Sequence, residues 1–167
     1  MDAVPEHNNY AFIDGHNVFL NASKSGGELD CLLFREYLRK EHEVKKAFVF
    51  LGFVLGNESS YKRWEDAGFL VIFKDAVRRK DGTIKGNCDV DLTLRLCMEI
   101  NNFHMAILVT GDGDFECVAE VLIALGKLRA IIAIDIKSCS YLYQVYFSKY
   151  LMYLSGIRGI ASKNAGS

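Results

Sequence analysis

Five apolar runs of strand length recur along the chain: "YAFID" (10–14), "KAFVFLGF" (46–53), "FLVIFK" (69–74), "MAILVT" (105–110) and "RAIIAID" (129–135). Segments with helical spacing lie between most of them, as expected of parallel strands joined by crossover helices. "LDCLLFREYLRK" sets Leu29, Leu32, Leu33 and Leu38 near a helical repeat, and "ESSYKRWEDAG" predicts a helix stopped at Gly68. "DFECVAEVLIALGK" is the clearest helix, with Phe115, Val118, Ala119, Leu122 and Leu125 on one face and Gly126 at its end. "CSYLYQVYFSKYLMYL" predicts a helix and a short apolar closing element. The pattern predicts an α/β fold: a three-layer α/β/α sandwich around a central, mostly parallel sheet. It forms one domain over residues 1–160 with a flexible tail over 161–167.

Two stretches need more than periodicity. "DAVRRKDGTIKGN" (75–87) is charged and carries an Asp-Gly turn signal, which predicts an exposed loop or hairpin. In "DVDLTLRLCMEINNF" (89–103) every even position from Leu92 to Ile100 is apolar, a strand-like alternation. The run is too long for an ordinary strand, has few β-branched residues and is rich in helix formers, so a crossover helix is predicted.

Half of the 167 residues are hydrophobic, a quarter are charged, and the net charge is −1. No global basic field announces a polyanionic partner, so nucleic acid would have to be met by a local patch. Cysteines at 31, 88, 97, 117 and 139 form no C-x-x-C pair and lie mostly in apolar runs, as reduced buried thiols do. The N-terminal stretch lacks signal-peptide character, and no uncharged run reaches the roughly 18 residues of a membrane span. A cytoplasmic protein is expected.

In open α/β sheets, ligands bind at the carboxyl ends of the strands near the point where strand order reverses. That rule selects Asp14, ending the first strand, and Asp112 with Asp114, following the fourth. The three converge if those strands are neighbours. Asp89 and Asp91 open the next helix, but residues two apart on a helix point about 200° from each other, so only one of them can face the site. Gathering acids costs roughly 4 kcal/mol per contact near 4 Å at an effective dielectric of about 20, unless a cation compensates. Mg²⁺ and Mn²⁺ favour oxygen ligands and suit such an open acidic cleft. With a phosphodiester present, such a site lowers the pKa of a bound water. Structural uses compete. Asp114 is placed to cap the following helix and Asp89 its own, whereas Asp112 has no comparable capping role.

"FIDGHN" (12–17), "KGNCDVDL" (85–92) and "VTGDGDF" (109–115), in this order and spacing, resemble the signature of the NYN domain, the LabA-like branch of the PIN-like nuclease superfamily. The resemblance runs from about residue 10 to residue 155. It implies a PIN-like sandwich in which Asp14, Asp89, Asp112 and Asp114 are the catalytic, metal-binding acids, with Asp89 preferred over Asp91. It also implies that Asn17 orients a carboxylate or phosphate and that Thr110 hydrogen-bonds a metal-bound water. The implied activity is Mg²⁺- or Mn²⁺-dependent cleavage of RNA, usually endonucleolytic. Arg95 stands where many relatives carry a further acid, with Asp91 as a partial substitute.

The only dense basic cluster is Lys74, Arg78, Arg79, Lys80 and Lys85, candidates to hold substrate phosphates. Lys85, four residues before Asp89, is the strongest. Lys127 is a further phosphate candidate, Trp64, Tyr61 and Phe53 are candidates to stack bases, and His16 is expected at the rim of the site. The competing function is a catalytically weak RNA-binding or regulatory module with a structural metal. An aspartyl-phosphate phosphatase is disfavoured because "IDGHN" offers one acid where that chemistry wants Asp-x-Asp. The apolar segment "YLMYLSGI" (150–157) suggests a homodimer.

Overall fold

All six residues of the first strand, β1 (Asn9–Asp14), are buried because its side chains alternate between two separate cores. Ala11 and Ile13 enter one core with Val18, Phe34, Leu38 and Trp64. Tyr10 and Phe12 enter the other with Leu92, Leu96, Leu122 and Tyr143. The structure is a computed structural model describing residues 7–163 apart from 25–26, 54, 76, 79–83, 86–87 and 158.

From β1 the chain continues as α1 (Gly15–Lys24), β2 (Gly27–Leu29), α2 (Cys31–Glu41), β3 (Val44–Phe53), α3 (Glu58–Asp66) and β4 (Leu70–Asp75). A small hairpin of β5 (Val77–Arg78) and β6 (Ile84–Lys85) precedes α4 (Asp89–Glu99). There follow β7 (Ala106–Val109), a 3₁₀ turn (Gly113–Phe115), α5 (Glu116–Ala124), β8 (Leu128–Ala133), α6 (Tyr141–Tyr146), β9 (Leu151–Tyr153) and β10 (Ala161–Lys163).

Six strands form one parallel sheet in the order β4-β3-β1-β7-β8-β9. The chain steps outward from β1 through β3 to β4, then returns to the other side of β1 for β7, β8 and β9. Because parallel crossovers are right-handed, this reversal sends α1–α3 to one face and α4–α6 to the other. The three-layer sandwich follows, and the crevice of a doubly wound sheet opens between the carboxyl ends of β1 and β7.

The ambiguous segment 89–103 is helical from Asp89 to Glu99, and its alternation has a simple origin. Leu92 and Leu96, one turn apart, are buried, while Val90, Leu94 and Met98 form an exposed apolar row. Gly68 and Gly126 follow their helices with φ of +88° and +68°, the left-handed conformation that a glycine stop supplies.

Several expectations are corrected. Helix α1 has no place in the sequence pattern, since Gly, His and four further polar positions weaken its periodicity. Three residues of the expected flexible tail, Ala161, Ser162 and Lys163, pair with Leu29, Glu28 and Gly27 as β10 joins β2; residues 164–167 lie outside the described ones. Trp64 and Tyr61 belong to the core rather than to a stacking surface. Lys127 donates to the Phe103 carbonyl at 2.7 Å just before β8, at the amino end of the sheet and so far from any phosphate at the crevice. Cys88 and Cys139 are buried and Cys31 half-buried, but Cys97 and Cys117 are exposed; none is in a disulfide. The segment "YLMYLSGI" supplies β9 and the buried Leu154, so much of its apolar surface is used within the fold. Among the described residues no helix is long and apolar enough to cross a membrane.

His42 follows α2 and is buried, with its ring against Tyr37 and its carbonyl accepting from the Asn9 side chain at 2.7 Å. Burial, helped by the charge of Arg129, pushes its pKa down to about 4. The unfolded chain therefore takes up this proton below about pH 6.5 while the folded chain refuses it until about pH 4. Stability is complete above that window and falls as pH drops through it, by on the order of 2 kcal/mol at pH 5. Urea titrations at pH 7 and pH 5 are expected to show this loss, and His42→Gln is expected to remove most of it.

Candidate nuclease site

The register of β1 on β7 sets Ile13 beside Val109. One residue further on, Asp14 and Thr110 stand side by side, and the Thr110 hydroxyl donates to Asp14 Oδ2 at 3.2 Å. The same hydroxyl oxygen accepts the Asp112 N–H at 3.1 Å. Asp14 Oδ1 accepts the Asn17 N–H at 3.1 Å, across the first turn of α1. The Asn17 side chain in turn accepts the Gly111 N–H at 3.0 Å through Oδ1. These bonds tie the ends of two strands 96 residues apart in sequence into one frame. Thr110 thus serves as a bridge between two acids, and Asn17 as a brace for the second loop.

Asp14 is only 7% exposed. Burial pushes its pKa up and the Asp89 carboxylate adds to the rise, against the Asn17 and Thr110 hydrogen bonds and the attraction of His16. Asp89, on the first turn of α4, therefore lies within electrostatic reach of Asp14 from the other face of the sheet. Asp91 has a different partner: its Oδ2 accepts from Lys74 Nζ at 2.7 Å. The two acids diverge as helix geometry requires, and Lys74, one of the candidate phosphate ligands, is already spent on a carboxylate.

The capping roles in "GDGDF" differ from expectation. Asp112, not Asp114, is the cap: its Oδ1 accepts the Asp114 N–H at 3.0 Å and starts the 3₁₀ turn. Asp114 is exposed, and α5 has no side-chain cap. The inserted 3₁₀ turn starts one turn ahead of α5, which begins at Glu116, so the capping side chain lies two residues before the one a sequence pattern picks. A side chain the pattern does not mark, Tyr143 of α6, lies beneath this loop. Burial raises the pKa of its phenol and the Asp112 charge raises it further.

The glycines of both motifs are explained by close approach. A Cβ on Gly15 would stand 2.7 Å from the Phe50 carbonyl oxygen, and one on Gly111 would stand 2.5 Å from that of Ser138. At Gly113 it would meet Ser140 Oγ at 2.6 Å. The loop after β7 is thus packed directly on the start of α6, where the Ser140 N–H donates to the Gly111 carbonyl at 2.8 Å.

The basic hairpin runs between β4 and α4, with Val77 opposite Lys85 and Arg78 opposite Ile84. Arg79 and Lys80 lie outside the described residues. Arg95 does not enter the site: it pairs with Glu99 at 3.7 Å and lies over the Phe48 ring. His16 is exposed at the rim of the crevice.

Among the described residues, no three acidic, histidine or cysteine side chains are already drawn together as a metal-binding group. The donor chemistry nevertheless fits a hard cation. Asp14 is a buried carboxylate pressed by a second one, and the hydrogen bonds it receives come from neutral groups. Mg²⁺ usually keeps several waters and takes only one or two carboxylates from a protein.

The NYN domain family model matches residues 10–135, and the chain belongs to that family, a branch of the PIN-like nuclease superfamily. Among curated proteins, it is similar to the low amplitude and bright protein LabA of Synechococcus elongatus. The two are 26% identical over 136 residues, covering 74% of this chain and 72% of LabA. Among solved structures, it is similar to a Vibrio parahaemolyticus protein of unknown function, with a TM-score of 0.70 and 24% identity, over 84% of this chain and 88% of that one. That second likeness is one of fold.

Gly111→Ala is expected to destabilise the protein by about 1 to 3 kcal/mol, because the Ser138 backbone cannot yield as a side chain would. Thermal unfolding beside Gly56→Ala, where only a positive φ and no contact is at stake, separates crowding from backbone conformation.

Proposed function

We propose that this protein is a divalent-metal-dependent ribonuclease that hydrolyses RNA phosphodiester bonds in the crevice between β1 and β7. The observation that carries the reading is the Thr110 hydroxyl, bonded at once to the buried Asp14 carboxylate and to the Asp112 backbone. A fold has little structural reason to bury one acid and tie it to the loop bearing two more. In this reading Asp14, Asp89, Asp112 and Asp114 would hold Mg²⁺ or Mn²⁺ through oxygen. When bound, such a cation supplies charge neutralisation at the phosphate and acidity to a water.

The chain's own groups do the positioning. Thr110 and the Asn17 N–H fix the two oxygens of Asp14, and Asn17 Oδ1 holds the loop carrying Asp112 and Asp114. We assign substrate phosphates to Lys85, Arg78, Arg79 and Lys80, since this basic stretch of sequence directly precedes α4 and Asp89. Endonucleolytic action suits a crevice that lies across the carboxyl ends of the central strands.

Three observations favour a second reading, an RNA-binding module without cleavage. Asp112 is engaged as a cap, Asp91 is paired with Lys74, and no ready-made group of three ligands stands among the described residues.

Incubation with labelled single-stranded, structured and circular RNA, with Mn²⁺, Mg²⁺ or EDTA, separates the two. Cleavage is expected with either metal, circular RNA included, and is expected to vanish in EDTA. Asp112→Asn is expected to lower the rate at least about a hundredfold, and Thr110→Val, which removes a supporting contact, about ten- to a hundredfold. Cleavage that persists in EDTA would defeat the metal mechanism. RNA binding without cleavage under every metal would establish the binding module instead.

A further inference from the structure

One turn along α1 from the acidic crevice the surface opens into a groove of about 540 Å³, lined by His16, Phe19, Leu20, Glu28, Ser60 and Arg63, among others. Its volume is within the usual range for small-molecule sites, roughly 300 to 1,000 Å³. His16, two residues beyond Asp14 in the chain, lines this groove, so the groove lies beside the crevice.

The lining is chemically selective. Phe19 is half-buried and held edge-on against Trp64, with ring centroids 5.4 Å apart, which fixes the orientation of its ring. Leu20 beside it is 44% exposed and adds an aliphatic surface facing solvent. Hydroxyls of Ser23 and Ser60 stand around this apolar floor. Among the described residues lining the groove, the one guanidinium, that of Arg63, is already paired with Glu28 at 2.6 Å. A phosphate would have to displace that carboxylate, whereas an uncharged planar ring with hydrogen-bonding edges would not.

We infer that this groove is a nucleobase subsite, receiving a base of a single-stranded RNA whose adjacent phosphodiester lies in the acidic crevice. The inference rests on the nuclease reading of that crevice and names what lies beside it. Stacking of a base on a protein aromatic is typically worth about 1 to 3 kcal/mol and tolerates any base, so the subsite strengthens binding without demanding one sequence. It favours unpaired over paired RNA, since a base in a duplex cannot enter the groove.

The test uses the full chain carrying Asp112→Asn, so that RNA stays intact, with Mg²⁺ and a labelled single-stranded RNA decamer read by anisotropy. Phe19→Leu keeps the groove apolar but removes the ring, and Leu20→Glu places a charge at an exposed position. Each is expected to weaken binding at least about fivefold, the low end for one stacked base. Leu125→Glu, also exposed but on α5's side of the sheet, is expected to change nothing. Emission from Trp64, the chain's single tryptophan and the residue behind Phe19, is expected to change on RNA addition in the parent and not in Phe19→Leu. Equal affinity in all variants would overturn the inference, whether or not the unsubstituted chain cleaves RNA, and so would weakening by Leu125→Glu as large as by Leu20→Glu. Groove-dependent binding by a chain that never cleaves would uphold the subsite and defeat the nuclease reading.

Discussion

A single hydroxyl, that of Thr110, stands between a buried carboxylate and the loop that carries two further acids. Its position is a consequence of register. Ile13 beside Val109 places Asp14 beside Thr110, and that register is in turn held by two cores that receive alternate side chains of β1 and β7. A slip of one residue would exchange the contents of the two cores as well as break the bridge. The same packing that stabilises the sheet therefore sets the geometry of the crevice, and the acids need no separate scaffold.

The cost of that arrangement falls on Asp14. Its carboxylate is desolvated, with the charge of Asp89 close by, and the groups bonded to it are neutral. Around it the fold removes every degree of freedom it can. Gly15 lets β3 come against the strand end, Gly111 and Gly113 let the second loop settle on Ser138 and Ser140, and Asn17 joins the two. Neighbouring charges that would blur the centre are occupied elsewhere: Asp91 with Lys74, Arg95 with Glu99 and the Phe48 ring.

Much of this was legible in the sequence, and for identifiable reasons. Runs such as "MAILVT" read as buried strands because both faces of a parallel sheet are covered, and the acids at their ends stand out because a buried strand has no use for a charge. The divergence of Asp89 and Asp91 follows from helical pitch alone. What escaped depended on contacts between distant parts of the chain. The cap moved from Asp114 to Asp112 because a 3₁₀ turn intervenes, and Lys74 was consumed by an aspartate 17 residues away. Helix α1 hid behind Asn, His and Gly, its face defined by the core it meets rather than by its own repeat. Trp64 and Tyr61 sat beside a strand end, as surface aromatics would, yet the helix carrying them turns inward.

The closure of the site over so long a stretch of chain also governs when it can exist. Asp14 is made early, Thr110 follows 96 residues later, and the Ser138–Ser140 segment on which the glycine loop rests comes later still. No short piece of the polypeptide contains the crevice, and the entropic cost of joining its halves is met only once the intervening strands have paired. The acids therefore stay apart until nearly the whole span from Asp14 to Ser140 is in place, and the crevice forms as one of the last consequences of folding rather than as a local motif.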